Sequence, residues 1–304
     1  MWRHARFLWL FVVACSFHPS EQSTGRDGAA LDSAHSDSTR SDSAHVDSAP
    51  VDAPKQPPPA NVYVPPNLCA ADPTLPFCLT FDQATYGSNL SNEGSASDLR
   101  VALHDVTRTG GGSAGGAALL GSDSTMILPP TTELPTNLTM AMWLRIDKDP
   151  DSPVSDPTAG SGDGSGSGAF FRDGLLDGAS SASGTSLFLY LINGDPELRC
   201  VLTSATLFSP PLAFTPGTWH YAACSCDPST QVLSLYFDGS LASTLTPCGS
   251  GELDDNGVTI GQDSNGFGQP TDDPFVGAID GLRLWNVSRT ADQICATSGR
   301  ATCD

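Results

Sequence analysis

The sequence contains one serine whose surroundings have the spacing of a hydrolase nucleophile. Ser113 lies in the stretch from Gly111 to Gly115, which reads G-G-S-A-G and has the form G-x-S-x-G. In a nucleophile elbow this motif makes the sharp turn between a strand and a helix of an α/β sheet. Here it lies in a glycine run and precedes a short apolar β-type stretch. We therefore interpret it as a turn and predict no catalytic residue from it.

Three aspartates have the residue type and spacing of a calcium loop. Asp147, Asp149 and Asp151 match the first half of an EF-hand loop. Ser152 stands where that loop needs glycine, and no glutamate follows at its twelfth position. We interpret the segment as a solvated loop.

The cysteines indicate an exported protein that is held together by disulfides. They are Cys15, Cys69, Cys78, Cys200, Cys224, Cys226, Cys248, Cys295 and Cys303. If Cys15 carries a lipid, the other eight can form four disulfides in an oxidising compartment. Zinc is disfavoured because no histidine stands at ligand spacing from the Cys-x-Cys pair.

The pairing of these eight cysteines is left open by the sequence, since on the order of 100 combinations exist. Short separations favour joining the first two to each other and the last two to each other. Cys224 and Cys226 are two residues apart on one predicted strand, so they share a face and should not bond each other. The working set is Cys69–Cys78, Cys200–Cys224, Cys226–Cys248 and Cys295–Cys303.

The N-terminus resembles the signal peptide of a bacterial lipoprotein. Two arginines precede an apolar run from Phe7 to Ala14, which is shorter than the about 20 residues that span a bilayer. The run V-V-A-C that ends at Cys15 resembles a lipobox. This implies a signal peptide at residues 1–14, a lipidated Cys15 and, because Ser16 rather than Asp follows, an outer-membrane or cell-surface location. An ordinary secretory signal with an incidental cysteine is the alternative.

Residues 15–66 are predicted to be the lipidated cysteine and a disordered tether. Asp recurs every five residues from Asp32 to Asp52, a period that fits neither helix nor strand. The repeat has no apolar face to offset the entropy of ordering, and a Pro-rich stretch follows it. We interpret His35 and His45 as part of this solvated repeat rather than as metal ligands. Residues 67–304 then form one domain.

The acidic composition disfavours two kinds of partner. The chain has 34 acidic and 14 basic residues, a net charge of -20, and no cluster of Lys or Arg. Binding to nucleic acid or to anionic lipid headgroups needs such a cluster. We therefore expect no nucleic-acid partner and no membrane contact beyond the lipid anchor. An acidic surface favours solubility and can recruit calcium.

Short β-rich runs separated by Gly, Pro, Asn and Asp predict an all-β domain. Apolar and polar side chains alternate clearly over 232–237, and Asp238-Gly239 predicts a tight hairpin after this run. A short helix is expected over 290–296. The predicted strands cover 78–82, 99–103, 117–120, 125–128, 138–146, 169–172, 186–192, 198–203, 218–226, 232–237, 241–245, 258–260 and 275–285.

Six motifs, taken in their order, resemble the laminin-G-like, concanavalin-A-like lectin and glucanase superfamily. They are L-T-F-D at 79–82, G-G-A-A-L at 115–119, L-T-M-A-M-W-L-R at 138–145, G-T-W-H-Y-A at 217–222, L-Y-F-D-G at 235–239 and F-V-G-A-I-D-G-L-R-L-W-N at 275–286. The resemblance implies a two-sheet antiparallel jelly-roll sandwich. The chain departs from the usual pattern in an Asp/Gly/Ser/Pro-rich insertion at 147–168 and in the cysteines that follow W-H-Y-A.

The resemblance also implies candidate ligand residues. Many relatives hold one calcium ion with Asp carboxylates and backbone carbonyls, which makes Asp82 and Asp280 the candidate calcium ligands. Hydrogen bonds in turns and ladders are the alternative role for both. Trp143, Trp219 and Trp285 could form a sugar platform, but each lies in a strand motif of the family, so we expect core packing.

Catalysis is not expected from the carboxylates. Glycosidases on this fold carry E-x-D-x-x-E on one strand, which places two carboxylates across the scissile bond. None of the five glutamates has that spacing, and the nearest run, 252–255, lacks the second glutamate. We predict a surface-anchored, non-catalytic module that binds a glycan or a protein partner. The alternatives are a glycoside hydrolase or lyase on the same fold, and a structural or adhesive coat protein.

Overall fold

The structure is a computed structural model of the chain. It describes residues 69, 71–113, 115–128, 139–147, 170–178, 184–192, 195–202, 205–249, 257–262, 274–300 and 302–303. The predicted signal peptide, Cys15, the tether, Asp149 and Asp151 lie outside the described residues. Every described residue belongs to one compact unit, 54–304.

The described part of the chain is built almost entirely from strands. In chain order the elements are β1 (Phe77–Leu79), β2 (Asn89–Ser91), β3 (Arg100–His104), β4 (Thr107–Thr109), β5 (Ala117–Leu120), β6 (Thr125–Leu128), β7 (Thr139–Ile146), β8 (Phe170–Asp177), β9 (Thr185–Ile192), β10 (Asp195–Leu202), β11 (Ala205–Phe208), β12 (Trp219–Asp227), β13 (Val232–Phe237), β14 (Ser240–Leu245), β15 (Val258–Ile260), β16 (Gly277–Trp285) and α1 (Ala291–Thr297).

These strands form two sheets. Sheet A has the order β14-β13-β12-β7-β16-β5-β4, and β1 pairs with β16. Sheet B has the order β11-β10-β9-β8-β15-β6-β3-β2. The strand pairs in both sheets are antiparallel. The predicted two-sheet jelly-roll sandwich is therefore confirmed.

Alternation along the strands decides which side chains fill the space between the sheets. On β13, Leu233, Leu235 and Phe237 are buried in the main core between the sheets. Tyr236 lies on the opposite side of the same strand and belongs to a second buried cluster. Burial of each such leucine stabilises the fold by about 1.5–3 kcal/mol.

The second cluster covers the outer face of sheet A. It contains Trp143 of β7, Tyr221 of β12 and Trp285 of β16. The Trp143 and Tyr221 ring centroids are 5.2 Å apart in an edge arrangement. Ile294 of α1 and Leu75, just before β1, pack on the same cluster. Both ends of the domain therefore close this face of the sheet.

The hairpin predicted at Asp238-Gly239 joins β13 to β14. The two residues have φ values of 51° and 84°, as a two-residue type I′ turn requires. The Asp238 carboxylate accepts a hydrogen bond from the Tyr221 amide at 2.8 Å and lies 3.0 Å from His220 Nδ1. The turn is thereby tied to the neighbouring strand β12.

The structure corrects the sequence prediction at several boundaries. The first strand was expected over 78–82, but β1 ends at Leu79 because Phe81 has a φ of 58° and turns the chain out of the sheet. The Phe81 side chain still packs in the main core. Strands β2, β4 and β11, of three or four residues each, were missed. The helix begins one residue late because Thr290 is its N-cap.

Four disulfides join the eight cysteines of the domain. The pairs are Cys69–Cys78, Cys200–Cys224, Cys226–Cys248 and Cys295–Cys303, which is also the working set from the sequence. The second pair crosses the core from β10 of sheet B to β12 of sheet A, with 6.3 Å between the Cα atoms. Four disulfides indicate an extracellular, oxidising environment. No helix within the described ranges is long and apolar enough to cross a membrane.

Candidate functional site

The two predicted calcium ligands both contact one loop, the glycine loop, which comprises the described residues of 110–116 between β4 and β5. Asp82 Oδ1 accepts a hydrogen bond from the Gly116 amide at 2.8 Å. Asp280 Oδ2 accepts one from the Ser113 hydroxyl at 2.7 Å. Asp280 is buried, whereas Asp82 is exposed. The structure therefore brings both carboxylates to the same loop on the outer side of sheet A.

The loop needs glycine because it lies so close to these carboxylates. Gly115 has a φ of 126°, and a Cβ there would collide with Asp82 Oδ1. A Cβ on Gly112 would collide with the Gly116 carbonyl oxygen. The glycine run thus forms a tight turn that is fixed by side-chain hydrogen bonds.

This arrangement supplies only part of a calcium site. Calcium takes 6–8 oxygen ligands, usually with several carboxylates among them. Within the described residues no group of three or more His, Cys, Asp or Glu is placed to hold a metal ion. Asp82 and Asp280 would provide two carboxylates, and loop carbonyls, hydroxyls or water would have to provide the rest. The hydrogen bonds to the glycine loop correspond to the alternative role of Asp82 and Asp280, which is hydrogen bonding in turns and ladders. Calcium binding by these two residues stays a prediction.

Ser113 has the setting of a turn residue. The glycine loop connects β4 and β5, which are antiparallel neighbours in sheet A, and no helix follows it. The hydroxyl group of Ser113 donates to the Asp280 carboxylate. The strand–turn–helix setting of a nucleophile elbow is thus missing at this position.

The three tryptophans have different roles. Trp143 and Trp285 are buried in the cluster on the outer face of sheet A, which confirms core packing for both. Trp219 is half-buried at the same face. Its Nε1 donates to the Gly111 carbonyl at 3.0 Å, and the Arg145 guanidinium lies 5.2 Å from its ring centroid. The indole is therefore already engaged by the protein's own loop and arginine.

The outer face of sheet B has a different composition. On β10, Leu198 and Cys200 point into the main core, so Glu197 and Arg199 point outward. On β11, Leu207 points inward and Phe208 outward. Glu197, Arg199 and Phe208 therefore lie on the outward side of these two strands.

A row of outward positions runs across the middle of this sheet. Register pairs Thr206 with Val201, Val201 with Ser186, Ser186 with Asp177, and Asp177 with Thr259. The Ser186 hydroxyl donates to Asp177 Oδ1 at 2.6 Å. Ser186, Asp177 and Thr259 are almost fully buried, and we call them the buried polar row. Burying a carboxylate is costly unless it is hydrogen-bonded, and the Ser186 hydroxyl supplies such a bond to Asp177. The outward side of the sheet is therefore covered at this row.

Next to this row lies a patch that we call the β10–β11 platform. It is formed by the exposed Thr206 and Phe208 and the half-buried Glu197 and Arg199. Phe208 is 38% exposed and is the cross-strand partner of Arg199. The Arg199 guanidinium lies 5.7 Å from the Phe208 ring centroid. Burial raises the pKa of Glu197, and the nearby Asp195 carboxylate raises it further. The platform combines an apolar ring with a carboxylate, a guanidinium and a hydroxyl.

Two carboxylates of this face, Asp177 and Glu197, are too far apart to act as a glycosidase pair. Their register partners on β9 are four residues apart, at Ser186 and Tyr190, and two strand spacings separate β8 from β10. Strand geometry then places their Cα atoms about 16 Å apart. Glycosidase carboxyl groups are about 5–10 Å apart.

None of the platform or buried-row residues was among the sequence candidates. The only signal was the alternation in 197–202, where Glu197 and Arg199 alternate with Leu198 and Cys200. That pattern shows that one side of a strand faces outward, but it does not show which residues of other strands lie beside it.

Comparison with known proteins places this fold in a family. Residues 120–295, more than half of the chain, match the family model Laminin_G_3, the concanavalin A-like lectin/glucanases superfamily. The chain therefore belongs to this superfamily. No curated protein sequence matches the chain.

Several solved structures share the fold at low sequence identity. Domain 4 of AbnA, a GH43 extracellular arabinanase from Geobacillus stearothermophilus, in complex with arabinotriose, has a TM-score of 0.52 and 17% identity, covering 74% of this chain and 98% of that chain. The botulinum neurotoxin serotype D ligand-binding domain in complex with N-acetylneuraminic acid has a TM-score of 0.50 and 13% identity, covering 74% and 50%. The binding domain of Paraclostridial Mosquitocidal Protein 1 has a TM-score of 0.50 and 10% identity, covering 74% and 52%. This chain thus spans about half of the two toxin chains. At these identities the likeness shows the fold alone.

Proposed function

We propose that this chain is a surface-anchored, non-catalytic module that binds a carbohydrate through the β10–β11 platform. One observation carries the proposal: Phe208 exposes an aromatic ring on a regular strand, beside Arg199 and Glu197. Sugars combine apolar C–H faces with hydroxyl groups. An exposed ring next to hydrogen-bonding side chains suits both features.

The contrast between the two sheets supports this location. The outer face of sheet A is closed by an apolar cluster, by α1 and by the glycine loop. The buried polar row of sheet B is hydrogen-bonded and lies beside the platform. Side chains that are held in place before the ligand arrives lower the cost of binding.

The relatives support a binding module in general terms. The AbnA domain was solved with arabinotriose and the serotype D domain with N-acetylneuraminic acid. The separation of Asp177 and Glu197 excludes these two residues as a glycosidase pair. Asp195 and Glu197, two residues apart on one side of β10, are a closer carboxylate pair, and the experiment below tests the enzyme alternative directly.

The anchor part of the proposal concerns Cys15. A lipid on this cysteine, followed by the tether, would hold the domain at the cell surface. Changing Cys15→Ser should move the chain from the membrane fraction to the soluble fraction, because no other anchor is proposed. Membrane association that survives the change would contradict the lipid anchor.

A glycan array with the purified, oxidised full chain tests the binding proposal. We expect binding to a defined sugar class, and at least a tenfold loss of affinity in Phe208→Ala. Leu241→Ala is the matched control, because Leu241 is 53% exposed on β14 of the other sheet. Its affinity should equal that of the unchanged chain.

The array also separates the alternatives. If Phe208→Ala and Leu241→Ala bind equally well, the binding site is not at the platform. If the glycans are shortened after incubation with the chain, the protein is an enzyme. No binding to any sugar would contradict the carbohydrate proposal and favour a protein partner or a coat role. Parallel runs in calcium and in EDTA test the prediction at Asp82 and Asp280. If glycan binding depends on calcium and is lost in Asp82→Asn, this would support a calcium ion bound by Asp82.

A further inference from the structure

One positively charged side chain is buried on the outer face of sheet A. Arg283 of β16 is 5% exposed. Its register partner on β7 is Ala141, which belongs to the apolar cluster on that face, so Arg283 points to the same side. Burying a charge is costly unless a counter-charge and hydrogen bonds compensate for it. Arg283 therefore needs a compensating partner.

The described residues do not supply a counter-charge for this arginine. Arg283 forms a side-chain hydrogen bond with the Tyr221 hydroxyl. Burial raises the pKa of this hydroxyl above its usual value, so Tyr221 stays uncharged at neutral pH. The ion pairs between described residues involve other groups: Arg145 with Asp147, Arg289 with Asp72, and both His220 and Arg300 with Asp238.

The same face contains a buried donor without an acceptor. Trp143 is 3% exposed, and no group in the described part of the chain accepts a hydrogen bond from its Nε1. An indole N–H can only donate, and almost all buried donors in proteins are paired. Asp280, the register partner of Trp143 on β16, instead accepts a hydrogen bond from Ser113 of the glycine loop. The Trp143 N–H therefore needs an acceptor from elsewhere.

Open space adjoins this unpartnered N–H. Gly281 is buried at the bulge of β16, between Asp280 and Arg283. Among the described residues, and apart from the chain neighbours of Gly281, the one atom within 4 Å of a Cβ built there is Trp143 Cδ1, at 3.4 Å. Cδ1 is bonded to Nε1 in the indole ring. The lack of a side chain at Gly281 thus leaves room next to the Trp143 donor.

The Arg283 side chain extends past the same place. Arg283 lies on β16 and its hydrogen-bond partner Tyr221 on β12, and β7 lies between these two strands. The side chain must therefore cross β7, where Ala141 and Trp143 hold outward positions. The small Ala141 leaves space for this crossing, and Trp143 borders it. A guanidinium group and an indole N–H thus border the same part of the face, and both are donors.

We infer that a small monovalent anion, of the size of chloride, binds between the Arg283 guanidinium and Trp143 Nε1. The ion supplies the negative charge that Arg283 needs and the acceptor that Trp143 needs. Leu75 and Ile294 pack on the same cluster, and this cover favours a monatomic ion over a larger anion. A water molecule would supply an acceptor but no charge, so water is the competing occupant. The site lies on sheet A and does not depend on carbohydrate binding by sheet B.

Thermal unfolding of the oxidised full chain in sodium chloride and in sodium gluconate tests this inference. At equal ionic strength the two salts screen charges equally, so a difference between them reports specific binding. At a chloride concentration about five times the dissociation constant, we expect Tm to be about 2–4 °C higher than in gluconate. Equal Tm values at every concentration would overturn the anion and leave water as the occupant.

Arg283→Met removes the charge and keeps a long side chain, so this variant should lose the chloride effect on Tm. The control is Arg145→Met, the same change on the same face, where Asp147 already supplies the counter-charge. The control should keep the full chloride effect. A chloride effect of equal size in Arg283→Met and in the unchanged chain would overturn the site.

Trp143→Phe provides an independent test if Arg283→Met does not fold. It retains an aromatic ring and removes the N–H, so the dissociation constant for chloride should rise about tenfold, as for a lost hydrogen bond to a charged group. Chlorine-35 NMR gives a second readout: the full chain should broaden the chloride line, and Trp143→Phe should broaden it less. An unchanged dissociation constant and unchanged broadening in Trp143→Phe would overturn the contact at Nε1 and the inference with it.

Discussion

The outer faces of the two sheets have opposite characters. Sheet A carries Trp143, Tyr221 and Trp285 on its outer side, and the ends of the domain pack over them. On the outer side of sheet B, the polar residues Ser186, Asp177 and Thr259 are buried, and Phe208 of β11 is 38% exposed. A sandwich needs only its inner faces to fold, so the outer faces can diverge. The outer face of sheet A forms a second core, and we propose that the outer face of sheet B binds the ligand.

The largest expected change in stability comes from a substitution on the outer face of sheet A, which is packed like a core. Trp143→Ala should lower the free energy of unfolding by about 3–5 kcal/mol, because a fully packed indole leaves a cavity. Phe208→Ala, on the other sheet, should change it by less than about 1 kcal/mol. Urea unfolding of both variants measures the difference. Similar losses for the two would show that the outer faces do not differ as described.

The next effect concerns the link between the sheets. Replacing Cys200 and Cys224 together by alanine should cost about 2–4 kcal/mol, because the bond restrains the unfolded chain. The Cys295 and Cys303 double variant, which opens a shorter loop, is the control and should cost less. Peptide mapping of the oxidised chain checks the pairing first. A different partner for Cys200 would contradict the connectivity.

A smaller effect is expected in the glycine loop on sheet A. Gly115→Ala combines an unfavourable φ with a collision against the Asp82 carboxylate, and should cost about 1–3 kcal/mol. Gly111→Ala is the control, since the nearest atom to its added Cβ, Arg145 Nη1, is at an ordinary 3.7 Å. It should stay within about 0.5 kcal/mol of the unchanged chain in thermal unfolding. If Gly115→Ala and Gly111→Ala destabilise the chain equally, the glycine loop is not held against Asp82.

The smallest effect belongs to the platform and depends on pH. Burial and Asp195 raise the pKa of Glu197 in the folded state, so folding favours its protonated form. The stability from this preference is complete below the usual glutamate pKa and is lost as pH rises through the raised pKa. Glu197→Gln should therefore be slightly more stable than the unchanged chain near neutral pH, by less than about 0.5 kcal/mol, since Glu197 is mostly solvated.

Melting temperatures measured from about pH 3 to about pH 7 test the Glu197 prediction. The advantage of Glu197→Gln should vanish at the acidic end. If Glu197→Gln stabilises the chain most at acidic pH, this would contradict a raised pKa for Glu197 in the folded state.

The sequence predicts the fold well where a pattern is local. The alternation in β13, the Asp238-Gly239 turn and the helix capped by Thr290 each depend on neighbouring residues, and the structure contains all three. The six family motifs correctly predicted the two-sheet sandwich. The signal from short strands is inconsistent: β11 was missed, whereas β5, which has the same length, was predicted.

The candidate site could not be predicted in the same way. Asp177 accepts hydrogen bonds from Ser186 at its carboxylate and from Thr259 at its backbone carbonyl only because β8, β9 and β15 are neighbours in sheet B. Asp177 and Thr259 are 82 positions apart in the sequence. A contact of this kind depends on sheet order, which local patterns do not contain. The sequence instead pointed to Asp82, Asp280 and the tryptophans, because these lie inside family motifs.

The central claim, that ligand binds to the outer face of sheet B, is tested most directly by hydrogen–deuterium exchange. The oxidised full chain would be compared with and without the glycan that binds most strongly on the array. We expect slower exchange in β10 and β11 and no change in β7 and β12, whose outward side chains are already covered. Slower exchange in the glycine loop or in β7, with none in β10 and β11, would place the ligand on sheet A and contradict the account.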